Sequence, residues 1–352
     1  YNYIEIQFIE LKSISELKPR KIAGKAIVDV LKKCIDEKSL LFVAPPDMIF
    51  GNYSIFNCVK SSYKTKKPFA AAHPRVSYEI LNSIKKSHNN GISNSDWYVL
   101  LGGDGHQPAT EPGNPDIVYA QWQQGNLYRI DKTTGESTYI KPQNRLGEAY
   151  ERYNWDSPIL VSQHDPKRLY FGTQRVWRSN NRGDSWNPVS YDLTKNEERL
   201  SLPIMGKQQS FDNAWDVYAM STYNTITSLA ESKLNENILY AGTDDGILQM
   251  TKDGGNNWTK MTVNQLPEVP ESAFVNDIKA DLFNENVAYI ALDNHKFGDY
   301  KPYLLKTTNG GKKWTSITKG IPNNTLIWRL VQDHINPNLL FLATEYGVYI
   351  SF

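Results

Sequence analysis

The sequence predicts a mainly β fold: a β-propeller of four-stranded blades over residues 90–352, about five blades of an incomplete ring, preceded by a small α/β segment over 1–89. Three observations predict it. One short phrase recurs five times, apolar runs stand before and after each copy, and a sharp turn signature follows the last run. Self-similarity at a fixed period of this size is the mark of repeat architectures.

The phrase is Asn114-Pro-Asp-Ile-Val-Tyr-Ala, Asp165-Pro-Lys-Arg-Leu-Tyr-Phe, Asn235-Glu-Asn-Ile-Leu-Tyr-Ala, Asn284-Glu-Asn-Val-Ala-Tyr-Ile and Asn336-Pro-Asn-Leu-Leu-Phe-Leu. Successive copies lie 51, 70, 49 and 52 residues apart. Each is a turn opening into a run of β-branched, aromatic and aliphatic residues, as strands are. A second apolar run precedes the turn, as in Ile226-Thr-Ser-Leu-Ala and Ile327-Trp-Arg-Leu-Val. A third follows, as in Ile247-Leu-Gln-Met-Thr and Val348-Tyr-Ile-Ser.

After the third run comes the template Ser/Thr-x-Asp/Asn-x-Gly-x-x-Trp. It appears as Ser179, Asn181, Gly183 and Trp186; as Thr251, Asp253, Gly255 and Trp258; and as Thr307, Asn309, Gly311 and Trp314. The Asx side chains are placed to accept turn amides. The glycines supply the positive φ of a tight hairpin. Each Trp opens a fourth strand and offers surface for packing between sheets. The first blade carries a degenerate copy, Ile130-Asp-Lys-Thr-Thr-Gly-Glu-Ser, and the fifth stops at Ser351, where its own copy would begin.

These turns resemble the Asp boxes of BNR-repeat propellers, found in sialidases, sortilin-like receptor domains and xyloglucan-cleaving hydrolases. Gly102-Gly-Asp-Gly-His-Gln107, Tyr153-Asn-Trp-Asp-Ser-Pro158 and Gly242-Thr-Asp-Asp-Gly246 resemble the bacterial proteins of this kind, labelled sortilin-like or glycosyl-hydrolase-like. The resemblance implies an extracellular or periplasmic protein that recognises a ligand. Two departures weigh against catalysis. The Arg-Ile-Pro phrase of sialidases has only Arg129-Ile-Asp131 as its counterpart, and no segment maps onto the Gly-rich opening of the xyloglucan-cleaving enzymes beyond Gly102-Gly-Asp104-Gly.

In a blade, the turns from first to second and from third to fourth strand share one face, so the template residues are scaffold. The loops from second to third strand, and those joining blades, share the other face, where rigid folds display function. There the sequence places Trp122, Gln123, Glu148, Arg152, Trp155, Gln174, Arg175, Asp244, His295 and Glu345 as candidate ligand contacts. Trp215 and Asp216 join them on the long stretch Asp192–Asn224, which accounts for the 70-residue spacing. Asp104, Asp156 and Asp245 are the catalytic candidates, since glycoside hydrolysis uses paired carboxylates. The bland reading is that such residues cap turns; Asp245-Gly246 is itself a ready-made turn.

Composition narrows the partners. Net charge is +1, which gives no general footprint for nucleic acid, and no apolar run is long enough to span a bilayer. Aromatics at 12% suit both sheet packing and sugar contacts. Because aromatic and acidic loops share one face, the expected partner is a polysaccharide or other glycan ahead of a protein ligand, without membrane insertion; the alternatives are a glycoside hydrolase and an assembly propeller that holds another protein and no small ligand. No metal and no cofactor is expected.

The first ninety residues break the period. They hold 15 Lys and Arg against 8 Asp and Glu, whereas the remainder holds 24 against 30. Both cysteines, Cys34 and Cys58, lie there and are read as ordinary thiols. Lys21–Ile35, Ser54–Lys60 and Ser77–Lys86 have helical spacing, and Ser39–Ala44 and Pro68–Ala72 read as strands. The phrase around Asp47 weakly resembles a glycosyltransferase-like strand end.

Overall fold

The computed structural model describes residues 8–10, 78–79 and 98–351, apart from 105–106, 149, 205–206, 211 and 215–221. Asp47, the two cysteines, Trp215 and Asp216 lie outside the described residues, as do the elements expected before residue 78. Of Ser77–Lys86, whose spacing reads as helical, only Tyr78–Glu79 is described, and it is a strand that pairs antiparallel with Tyr98–Val99. Ten residues with three apolar positions do not separate the two periods, and the aromatic Tyr98 and Tyr78 favour a strand.

Five four-stranded antiparallel sheets follow one another as the blades of a β-propeller. The first runs Ala109–Glu111, Asn114–Trp122, Asn126–Asp131 and Ser137–Tyr139. The second runs Ile159–Val161, Leu169–Gly172, Val176–Ser179 and Asn187–Pro188. The third runs Ile226–Glu231, Leu239–Thr243, Ile247–Thr251 and Thr259–Thr262. The fourth runs Phe274–Ala280, Ala288–Asn294, Asp299–Thr307 and Trp314–Ser316. The fifth has Ile327–Gln332, Leu340–Thr344 and Val348–Ser351. Its fourth strand is Phe8–Glu10, which pairs Phe8 with Ser351 and Glu10 with Tyr349. This covers an edge that would otherwise present unpaired amides.

The second strand of blades two to five is buried along its length, as expected of a strand packed on both faces. The core lies between blades. Tyr119, Leu127 and Tyr153 pack with Phe171 and Trp177 of the second blade. Tyr240, Leu248, Val275, Ile290 and Trp314 form the contact of the third blade with the fourth.

The three template turns fold alike. Ser179, Thr251 and Thr307 hydroxyls accept the amides of Gly183, Gly255 and Gly311 at 2.8, 3.0 and 3.0 Å. Asn181, Asp253 and Asn309 accept the amides of Ser185, Asn257 and Lys313 at 3.0, 2.9 and 2.9 Å. Gly183 and Gly255 have φ of 90° and 101°, and a Cβ there would come within 2.5 Å of the Ile140 side chain or 2.4 Å of the Val189 carbonyl. Trp186 and Trp258 donate to those same two residues, to the Ile140 and Val189 carbonyls at 2.7 and 3.0 Å. These two turns thereby grip the preceding blade.

The first strands of neighbouring blades lie side by side and carry bulges at matching places: between Ile226 and Ser228, Val275 and Asp277, and Ile327 and Arg329. The extra residue reaches across. Thr227 Oγ1 donates to the Val275 carbonyl at 2.6 Å, and Asn276 Nδ2 to the Ile327 carbonyl at 2.7 Å. The next residue accepts in return: Ser228 Oγ from the Ile278 amide and Asp277 Oδ2 from the Leu330 amide, both at 3.0 Å.

Candidate functional site

The loop face is built on one repeated position, just past the second strand of a blade. There Gln123, Gln174, Asp244 and Glu345 each accept a backbone amide from the segment entering their own blade. The donors are Asp104, Arg152, Thr225 and Leu326, at 3.2, 2.8, 2.8 and 3.2 Å. Four of the sequence candidates thus hold the entering loops, among them those that carry Asp104, Glu148, Arg152, Trp155 and Asp156.

Around the first and second blades these loops gather a mixed surface. Trp122 and Trp155 are exposed, at 40% and 44%. The Gln124 amide donates to the Trp155 carbonyl at 3.1 Å, which brings the two segments together. Asp104, itself exposed, follows Gly103, whose backbone (φ 117°) lies so close to Trp122 that a Cβ would meet the Trp122 Cβ at 2.5 Å. Gln107 Nε2 donates to the Asp156 carbonyl at 3.3 Å, and the Asp156 amide donates to Asn154 Oδ1 at 3.0 Å. Two of the three catalytic candidates, Asp104 and Asp156, therefore lie on backbone next to Trp122 and Trp155.

Glu148, Arg152 and Arg175 are each engaged by other groups of the protein, Glu148 at the surface and the two arginines half-buried. Arg175 binds the Glu148 and Glu151 carboxylates at 2.5 and 2.6 Å and lies 4.5 Å over the Trp177 ring. The Arg175 bond holds the Glu148 carboxyl below its usual range. Glu151 is buried and also accepts from Thr173 Oγ1 and Trp177 Nε1 at 2.6 and 3.2 Å. Arg152 binds Asp192 at 2.6 Å and the Asn224 carbonyl at 3.0 Å, pinning both ends of the long stretch.

Asp244 and Asp245 form a separate group at the third blade. Asp244 takes the Thr225 amide at 2.8 Å and the Thr225 hydroxyl at 2.6 Å, and Asn154 Nδ2 donates to that hydroxyl oxygen at 2.9 Å. A polar chain so runs from Asp156 through Asn154 and Thr225 to Asp244. Burial pushes the Asp244 carboxyl up to about 7, with the Asp245 charge adding to the rise and the Thr225 bonds opposing it. Asp245, buried, accepts the Lys195 amide at 2.6 Å and the Thr243 hydroxyl, and burial raises it too. Beside them Arg199 lies 5.1 Å over the Tyr223 ring. Asp245 thus anchors the long stretch and does not join the indoles in any of these contacts. Among the described residues, no cluster of three or more His, Cys, Asp or Glu is arranged to hold a metal ion.

Asn154, Thr225, Glu151 and Trp328 were not singled out in the sequence. Glu345 and Asp244 share a repeat position, and that alignment is the signal from which Gln123 and Gln174 could have been assigned the same task.

The fold and loop face define a β-propeller with an aromatic and acidic display on one side. No family model matches the chain. The protein named "Probable oligoxyloglucan-reducing end-specific xyloglucanase" of Neosartorya fischeri is 26% identical over 237 residues, 66% of this chain and 25% of that protein. The chain spans about a quarter of the length of this curated relative. Among solved structures, an ancestral GH74 enzyme aligns at 17% identity and TM-score 0.45 over 69% of this chain and 29% of its own. The Niastella koreensis GH74 enzyme aligns at 13% and 0.44, over 75% and 39%.

Proposed function

We propose that the loop face binds polysaccharide, with Trp122 and Trp155 as its stacking platform. The exposed pair carries the reading. Two large apolar rings sit on backbone segments that are hydrogen-bonded together, with Asp104, Gln123 and Asp156 beside them. Flat apolar rings fringed by polar groups suit a sugar ring, which has apolar faces and hydroxyl edges. The likeness to a protein named as a xyloglucanase makes xyloglucan the first probe. The template turns are Asp boxes on this reading, and their work is structural. An extracellular or periplasmic location goes with it. No helix among the described residues is long and apolar enough to cross a membrane.

The test is binding of soluble xyloglucan by the full chain, followed by calorimetry and by release of reducing ends. Trp122→Ala and Trp155→Ala should each weaken binding about tenfold, as loss of a stacking aromatic does, with the melting temperature held. Binding that survives both changes would sink the platform.

A second reading, glycoside hydrolysis, rests on Asp244. A carboxyl raised to about 7 has the proton affinity of a general acid. Both its oxygens are already bonded to Thr225, which favours a scaffold role. Release of reducing ends that vanishes in Asp244→Asn would establish hydrolysis; binding without release would leave recognition alone.

A further inference from the structure

The fourth blade departs from the loop-face rule. Asp293 occupies the repeat position of Asp244 and Glu345, since Ala291 pairs with Asp277 as Gly242 pairs with Ser228 and Ala343 with Arg329. Its carboxylate does not take an amide of the entering segment. Asp293 is fully buried, and its Oδ1 accepts from His295, from the ring Nδ1 at 2.5 Å and from the amide at 3.1 Å. Its Oδ2 is buried without a hydrogen-bond partner. The task of holding the entering loop passes to Asn294, which accepts from Ser272 Oγ at 2.8 Å.

A buried carboxylate on Nδ1–H fixes the tautomer of a neutral imidazole and leaves Nε2 as an acceptor. The His295 side chain is 34% exposed, and among the described residues Nε2 carries no hydrogen bond. Two aromatic rings stand against the imidazole. Phe274, from the same blade, has its centroid 6.3 Å away, and Trp328, from the fifth blade, 5.9 Å, both T-shaped. Trp328 is the bulge residue of its strand, and neither ring is fully buried. In Thr227 and Asn276 the side chain at this bulge position binds the next blade; here it borders the imidazole.

We propose that Phe274, His295 and Trp328 form a second subsite of the loop face, one that takes a single pyranose ring, with a sugar hydroxyl donating to His295 Nε2. The subsite rests on the polysaccharide reading but uses none of the residues of the Trp122 and Trp155 platform. Asp293 is its positioning residue: it orients the imidazole and does not touch the sugar.

The experiment is side-chain 15N NMR of the full-length chain, titrated with glucose, xylose and mannose in turn. At least one of the three should shift the His295 Nε2 resonance, and the shift should disappear in Trp328→Ala. His295→Phe, which keeps a ring but has no acceptor, should bind that sugar about five- to tenfold more weakly, the worth of one hydrogen bond. His295→Gln should recover part of the loss, and Asp293→Asn should alter the free Nε2 shift before any sugar is added. A His295 Nε2 signal unmoved by all three sugars overturns the subsite. Failure here with xyloglucan binding still dependent on Trp122 and Trp155 leaves the platform intact; movement of His295 with the platform variants unaffected leaves the subsite and removes the platform.

Discussion

Asp244 is the residue whose charge state most directly reports on its surroundings. Its carboxyl sits at about 7 when folded and at the ordinary 3.8 when unfolded. The native state therefore holds a proton that the unfolded chain has released. Asp244 supports the fold most below about pH 4, loses that contribution as pH rises towards 7, and changes little above it. Asp245 and Glu231, both raised by burial, act in the same direction. Asp253 acts in the opposite one, because the Asn257 amide lowers its carboxyl to about 2. Asp244→Asn keeps an acceptor for the Thr225 amide and a donor for its hydroxyl. Compared with the parent, this variant should gain in melting temperature at pH 8 relative to pH 4; a constant difference across that range would mean that Asp244 does not titrate there. At the fourth and fifth blades the fully buried Asp277 accepts from Arg329 and Lys279, both at 3.0 Å. Arg329→Met leaves that carboxylate with one cation fewer and should cost about 3 kcal/mol or more in urea denaturation.

The hairpins with the Ser/Thr, Asx, Gly and Trp signature are the elements most exposed to single changes. Gly255→Ala puts a Cβ against the Val189 carbonyl at a backbone angle that L residues avoid. It should destabilise by more than about 1 kcal/mol in urea titration. Thr251→Val removes the acceptor of the Gly255 amide and should cost about 1 kcal/mol. These hairpins were legible in the sequence because everything that makes them is local: hydroxyl, amide, glycine and indole stand within eight residues. The same holds for the phrase ending in Leu239-Tyr240-Ala241, whose burial on both faces keeps it uniformly apolar. The loop face was legible only as a set of residues. That Gln123, Gln174, Asp244 and Glu345 would accept amides depends on where the entering loops pass, and side-chain chemistry alone reads equally well as ligand contact. His295 stood out as a loop histidine, but the carboxylate behind it and the Trp328 ring from another blade come together only through folding. Phe8–Glu10 was still less visible. Its three residues carry no turn signature, and their partner strand is at the far end of the chain.

At the scale of the whole molecule, stability is shared between neighbours. Among the described residues every hydrophobic cluster draws on two adjacent blades, so each blade should lose protection when the one beside it is damaged. Asn276→Ala breaks the bond to the Ile327 carbonyl, and amide exchange should quicken in both the fourth and fifth blades, with little change in the first. Equal quickening in all five would show that the propeller opens as one unit. The bulge bonds have one more property: donor and acceptor are repeated in the same order, Thr227 with Ser228 and then Asn276 with Asp277. A gene segment copied over one such period would encode a sheet that already carries the joint for its neighbour on either side. Lengthening or shortening the array by whole periods then calls for no new interface chemistry, and recombination between like segments becomes a ready route to relatives with a different number of sheets.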